Sequence, residues 1–99
     1  MSDAVLILCT VATPAEAETI ARTLIQERLA ACVQISAIDS WYRWQGEVEH
    51  APEQRLQIKT IAALVAQVEA RINALHNHAL RYPREILCRS AVRQSISRG

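Results

Sequence analysis

Ser40-Trp41-Tyr42-Arg43-Trp44-Gln45-Gly46-Glu47 is the stretch that decides how this chain folds. Gln45-Gly46 is a tight-turn dipeptide, because glycine takes the positive φ that a two-residue hairpin needs. Before it, from Ala31, the residues Val33, Ile35 and Ala37 alternate with Cys32, Gln34 and Ser36, which is the period of a strand. The run continues through Ile38 to Trp44, and the alternation slips near Asp39, which predicts a bulge or bend there. After the turn the chain returns as Glu47–Thr60, with Leu56 and Ile58 alternating at its end. Pro52 cannot donate to a ladder, so its position must be an edge or a bulge.

The arms of this hairpin are long. About 13 residues at roughly 3.3 Å each give about 43 Å. A compact domain of this length has a radius of gyration near 12.6 Å and is only about 33 Å across. The tip should therefore overhang its own core. It carries Trp41, Tyr42 and Trp44, three of the chain's four aromatic residues. An exposed aromatic patch of this kind marks an interface, and a free strand edge beside it invites pairing with another copy.

Outward from the hairpin, each flank reads as a strand and a helix. Ala4-Val5-Leu6-Ile7-Leu8-Cys9 is uninterrupted and apolar, as a central strand with both faces covered would be. Thr13-Pro14-Ala15-Glu16 is a capping box, with threonine at the N-cap, proline at the first helical position and glutamate at the third. The helix it starts bears Ala17, Ile20, Ala21, Leu24, Ile25 and Leu29 on one stripe. On the other flank, Thr60 is placed to cap a second helix with the stripe Ile61, Leu64, Val65, Val68, Ile72 and Leu75. A loop over His76–Arg84 and a last strand over Glu85–Val92 complete the chain. The order β-α-β-β-α-β predicts an α/β (α+β) fold of ferredoxin-like type: an antiparallel sheet with both helices on one face and a long extended β-hairpin.

The bulk numbers fit one domain spanning residues 1–99. With 99 residues the chain is too short for two domains, and at 51% apolar and 21% charged it is globular, not disordered. A domain this small buries only about 60–65% of the surface its unfolded chain exposes, so self-association would help it. The formal charge is +1 and the pI about 7.8, so no global field favours nucleic acid or acidic membranes. Arg89, Arg93 and Arg98 fall in a stretch with no acid after Glu85 and read as a solvated tail. Of three cysteines, Cys9, Cys32 and Cys88, none forms a C-x-x-C pair, which argues against a disulfide scaffold or structural zinc. The N-terminal residues lack a basic n-region, and the apolar run after them is too short for a signal or a span. The expectation is a cytoplasmic protein with reduced thiols, with neither nucleic acid nor membrane as partner.

Several blocks, in order, resemble the CutA divalent-cation-tolerance family over about residues 4 to 92. They are Leu8-Cys9-Thr10, Ile20-Ala21, Leu29-Ala30-Ala31-Cys32-Val33, the hairpin stretch quoted above, Lys59-Thr60, Leu75-His76 and Glu85-Ile86. The resemblance implies a ferredoxin-like fold, a homotrimer whose hairpins pack across subunits, and a link to tolerance of divalent cations, copper above all. It attaches no catalytic activity, so the protein is expected not to be an enzyme. The chain departs from the family pattern in two places. The segment His76–Ile86 is longer than the usual His-Pro-Tyr to Pro-Glu-Ile spacing, with Arg84 between proline and glutamate, and the chain ends without the family's aromatic helix.

In family terms Cys9, His76 and Glu85 match positions proposed to bind copper. A thiolate, an imidazole and a carboxylate suit copper or another divalent cation. Each also has an ordinary reading: Cys9 as a small core residue, His76 as a partner of the last helical carbonyls, Glu85 as a carboxylate beside arginines. His78 is a second donor in the same loop, and His50, near Pro52, reads as a solvated hairpin residue. Architectural similarity to PII signalling proteins implies a cleft for a small anion or effector between subunits, with Arg43, Lys59 and Arg84 as its basic residues. No Gly-rich phosphate loop supports it. The third reading is a structural trimeric scaffold or partner-binding module, with Trp41, Tyr42 and Trp44 at the trimer interface. Glu47 and Glu49 lie two apart on a strand and face one side, towards water rather than a cleft.

Overall fold

The structure is a computed structural model that describes the backbone of residues 3–76 and 87–94 and the side chains of residues 3–75. The elements are β1 (Ala4–Val11), α1 (Pro14–Gln26), β2 (Cys32–Trp44), β3 (Glu47–Ile61), a 3-10 turn (Ala62–Leu64), α2 (Val65–His76) and β4 (Leu87–Gln94). The four strands form one sheet in the order β2-β3-β1-β4, with every neighbouring pair antiparallel. That is the predicted ferredoxin-like arrangement.

The capping box stands as read. Glu16 N–H donates to Thr13 Oγ1 at 3.2 Å, and Thr13 N–H donates back to Glu16 Oε1 at 3.1 Å. Two otherwise orphaned amides at the helix start are thereby satisfied. The far end of α1 closes in a Schellman motif: Leu29 N–H donates to Leu24 O at 2.9 Å and Arg28 N–H to Ile25 O at 3.1 Å. Glycine is usual at the left-handed position of this motif, but Arg28 occupies it with φ 60°.

The core lies between the helices and one face of the sheet. Ile7, Cys9, Ile20, Leu24, Leu56, Ile58, Val68 and Ile72 are fully buried. Registers explain the set, because residues directly opposite one another share a face. Ile7 pairs with Ile58 and Ile58 with Val33, while Cys9 pairs with Leu56 and Leu56 with Ile35. On β1 burial alternates strictly: Val5, Ile7, Cys9 and Val11 are buried, and Ala4, Leu6, Leu8 and Thr10 only half-buried. The expectation that both faces of this strand are covered therefore holds for one face only. Within a single chain the second face keeps Leu6 and Leu8 partly in contact with solvent.

The hairpin overhangs as expected. The molecule measures 46 × 25 × 20 Å, with a radius of gyration of 14.2 Å against the roughly 12.6 Å of a compact chain this long. Gln45 and Gly46 have φ of 52° and 81°, the paired positive values of a type I′ turn whose twist matches its strands. The ladder then runs without a register shift from Trp44↔Glu47 to Cys32↔Lys59. The predicted bulge near Asp39 is absent, since Asp39 pairs with Pro52 in register. Beyond the core the more buried face of the hairpin carries polar Ser40, Glu49 and Glu53 beside Ile38 and Tyr42, so alternation of apolar residues no longer reports on register there. Pro52 sits where β3 pairs with β2 alone, because β1 joins only from Gln54 onward. It is an edge position, which needs no donor on its outer side. A register shift does occur, between β1 and β4 at Leu6/Ile7.

Two further readings are corrected. Thr60 does not cap α2: it lies buried in β3, and its hydroxyl donates to Leu29 O at 2.7 Å, tying the sheet to the exit of α1. The last strand is described from Leu87 to Gln94, two residues past the expected end at Val92, and the expected start at Glu85 lies outside the described residues.

Candidate functional site

One edge of the sheet is β2, and exposed apolar side chains lie on it and beside it. Ile25 on α1 and Ile35 on β2 are 43% and 42% exposed. A shallow groove between α1 and β2 is lined by Ala21, Arg22, Ile25, Gln26 and Val33. The apolar surface continues onto the hairpin with Trp41, Trp44 and Val48, of which Trp41 is 70% exposed. With the ladder in register, alternation puts Trp41 on the same side as Val33 and Ile35, and Tyr42 and Trp44 on the other. The hairpin thus offers aromatic surface on both faces.

Trp41 and His50 stand directly opposite in the ladder, and their rings stack with centroids 4.3 Å apart. His50 Nε2 lies 3.1 Å from Asp39 Oδ1. His50, read from sequence as merely solvated, is therefore the middle member of an Asp39–His50–Trp41 cluster. The Gln45-Gly46 turn was the signal that could have found it, since a two-residue turn fixes which residues face each other. A second cross-element contact was not legible. Arg71 of α2 donates from Nε and Nη2 to Glu27 Oε1 and Oε2, each at 2.9 Å. This bidentate bond holds the Glu27 carboxyl below its ordinary value of 4.5.

Of the proposed cation ligands, Cys9 lies fully buried at the centre of the helix-facing side of β1. It is disulfide-bonded, which corrects the expectation of reduced thiols. His76 is the last residue of α2, and its side chain lies outside the described residues. His78, Arg84 and Glu85 also lie outside them. Among the described residues no three His, Cys, Asp or Glu side chains gather in a way that could hold a metal ion.

Of the proposed basic residues, Lys59 is exposed near the start of β1 and Arg43 is exposed near the hairpin tip. Along the ladder they are about 36 Å apart at roughly 3.3 Å per residue, so one chain cannot close both on one small anion. Arg55 shares the face of Lys59 on β3, and its Nε is buried without a partner among the described residues. Sequence reading passed over Arg55. Among the described residues no helix is long and apolar enough to cross a membrane.

A four-stranded antiparallel sheet in this order, two helices on one face and an overhanging hairpin define the ferredoxin-like α+β class. Within that class, the CutA1 divalent ion tolerance protein family model matches residues 5–91, and the chain belongs to this family. The divalent-cation tolerance protein CutA of Thermus thermophilus is 43% identical over 75 residues, covering 75% of this chain and 73% of the relative. Among solved structures, CutA from Synechococcus elongatus PCC7942 superposes with a TM-score of 0.77 at 33% identity, covering 98% of this chain and 84% of that one. CutA from Xylella fastidiosa gives 0.76 at 40% identity, covering 99% and 88%. The relatives are named as tolerance proteins, not as enzymes.

Proposed function

We propose that the protein serves divalent-cation tolerance, copper in particular, as a non-catalytic cytoplasmic homotrimer assembled through its hairpin. The observation that carries the assembly is the group of exposed apolar side chains, Ile25, Ile35, Trp41, Trp44 and Val48, on the edge strand β2, the helix beside it and the hairpin. Such a group is costly to leave in water and is covered by a second copy at low cost in fit. The half-buried second face of β1 supports the same reading. The number three is what the family resemblance implies.

In this reading Cys9, His76 and Glu85 hold the cation. A cysteine in a disulfide offers no thiolate, so the set fits a metal only in the reduced chain. The test is calorimetric titration of Cu²⁺ into the reduced protein and into Cys9→Ser. Tenfold or greater weakening in the variant supports the assignment, and equal affinity removes Cys9 from the site.

A second reading, binding of a small anion between copies, draws support from Arg55, whose buried Nε, on the face that carries Lys59, has no partner among the described residues. Arg43 and Arg84 would then come from another copy. Inorganic phosphate should raise the Tm of the wild type and not of Lys59→Ala; no rise in the wild type counts against the site.

A further inference from the structure

Cys9 is disulfide-bonded and Cys32 is free. The sheet geometry says which cysteine can reach Cys9. Cys32 lies on β2, separated from β1 by β3, and its position on the ladder is that of Leu6, through Lys59. Two strand spacings and three residues of offset separate it from Cys9 by about 14 Å. A disulfide spans Cα atoms only about 4.4–6.8 Å apart. The backbone of Cys88, by contrast, stands directly opposite Cys9 in the β1–β4 ladder. Directly opposed antiparallel residues have Cα atoms about 4.5–5.5 Å apart, inside the bridging range.

We propose that Cys9 and Cys88 form a thiol–disulfide pair that fastens the edge strand β4 to β1 under oxidising conditions and releases it under reducing ones. β4 is the outermost strand, and in the sheet it is hydrogen-bonded to β1 alone. The bond therefore ties the last strand of the chain to the first, closing nearly the whole polypeptide into one loop, the case in which a cross-link removes most unfolded-state entropy.

The oxidant is a low-molecular-weight disulfide such as oxidised glutathione. One cysteine thiolate attacks a sulfur of that disulfide, breaking its S–S bond, forming a mixed disulfide and releasing one thiolate. The second cysteine thiolate then attacks the protein sulfur of the mixed disulfide, closing Cys9–Cys88 and releasing the second. Two protein thiols lose two electrons in all, and the small disulfide gains them and leaves as two thiols. Where Cys9 also serves as a cation ligand, a consequence that rests on the proposed function, the same reaction withdraws it from the metal.

The test needs no metal. The full chain is equilibrated with oxidised or reduced glutathione, quenched in acid, unfolded in guanidinium with an alkylating agent and weighed by mass spectrometry. After oxidation one cysteine should be alkylated, with a Cys9–Cys88 cross-linked peptide on digestion. After reduction all three should be alkylated. Oxidised wild type should melt about 10 °C or more above reduced wild type, while Cys88→Ser and Cys88→Ala should melt alike in both buffers. Three alkylated cysteines after oxidation, or a cross-link through Cys32, overturns the proposal. These readouts are independent of copper binding, so failure of the cation reading leaves them unchanged.

Discussion

Trp41 and His50 stack across the hairpin with ring centroids 4.3 Å apart and planes at 28°, although Trp41 remains 70% exposed. A stacked aromatic pair is worth about 0.5–1.5 kcal/mol beyond its buried area. That gain does not repay a tryptophan left mostly in water, so the cluster reads as a surface held ready for another chain. Trp41→Ala should therefore cost the single chain about 1 kcal/mol, far less than the roughly 3–5 kcal/mol of a buried tryptophan. Its larger effect should appear in the assembly. Wild-type Tm should rise with protein concentration, as linkage to association requires, and the dependence should weaken in the variant. An unchanged dependence would remove Trp41 from the interface.

Leu24 and Ile25 are neighbours on α1 with opposite roles. Leu24 is fully buried, and Ile25 is 43% exposed beside the groove. Leu24→Ala should destabilise by about 2–5 kcal/mol, read as a lower urea midpoint at unchanged slope. At protein concentrations where the wild type is monomeric, Ile25→Ala should stay within about 1 kcal/mol. Equal losses under those conditions would mean that Ile25 belongs to the core.

Arg28 holds a left-handed conformation at φ 60°. A residue with a Cβ pays about 1–2 kcal/mol there, and glycine returns part of the gain as unfolded-state entropy. Arg28→Gly should stabilise by about 0.5–1 kcal/mol and raise Tm by a few degrees. A drop in Tm would show that the Arg28 side chain contributes more than its backbone costs.

The Glu27–Arg71 pair gives a pH dependence of known sign. The hydrogen bond from Arg71 lowers the Glu27 pKa from 4.5, burial opposes it, and the charge of Arg71 adds to the lowering. A group depressed in the folded state contributes stability above its unfolded value and loses it as pH falls through the folded value. The contribution is therefore complete above about pH 4.5 and fades below it. It is small, because both side chains are exposed. Glu27→Gln should lower the neutral part of a Tm-against-pH curve slightly and converge on the wild type in acid, so that its acid limb is slightly flatter. A steeper acid limb in the variant would contradict the pairing.

Much of the fold was legible because it is written locally. Thr13-Pro14-Ala15-Glu16 starts a helix by its own hydrogen bonds, and Gln45-Gly46 sets a turn that fixes the register of the whole hairpin. What failed depended on contacts distant in sequence. Thr60 suits a cap and a strand equally, and its bond to Leu29 O, not its neighbours, decides for the strand. The bulge expected at Asp39 came from reading apolar alternation where the more buried face carries polar Ser40 and Glu53. The pairing of β1 with β4, which brings the Cys9 and Cys88 backbones opposite each other, leaves no local trace. The candidate site was legible in part. The aromatic hairpin follows from arm length, and the Asp39–His50–Trp41 cluster needs the cross-strand register as well. Arg84 and Glu85 lie outside the described residues, and Cys9 was placed correctly in a core strand while its bonding state was not.

Light scattering on the purified wild-type protein at micromolar concentration tests most directly whether the hairpin edge is a shared surface. The expected mass is three times that of the 11.1 kDa chain; a single-chain mass at every concentration would contradict it.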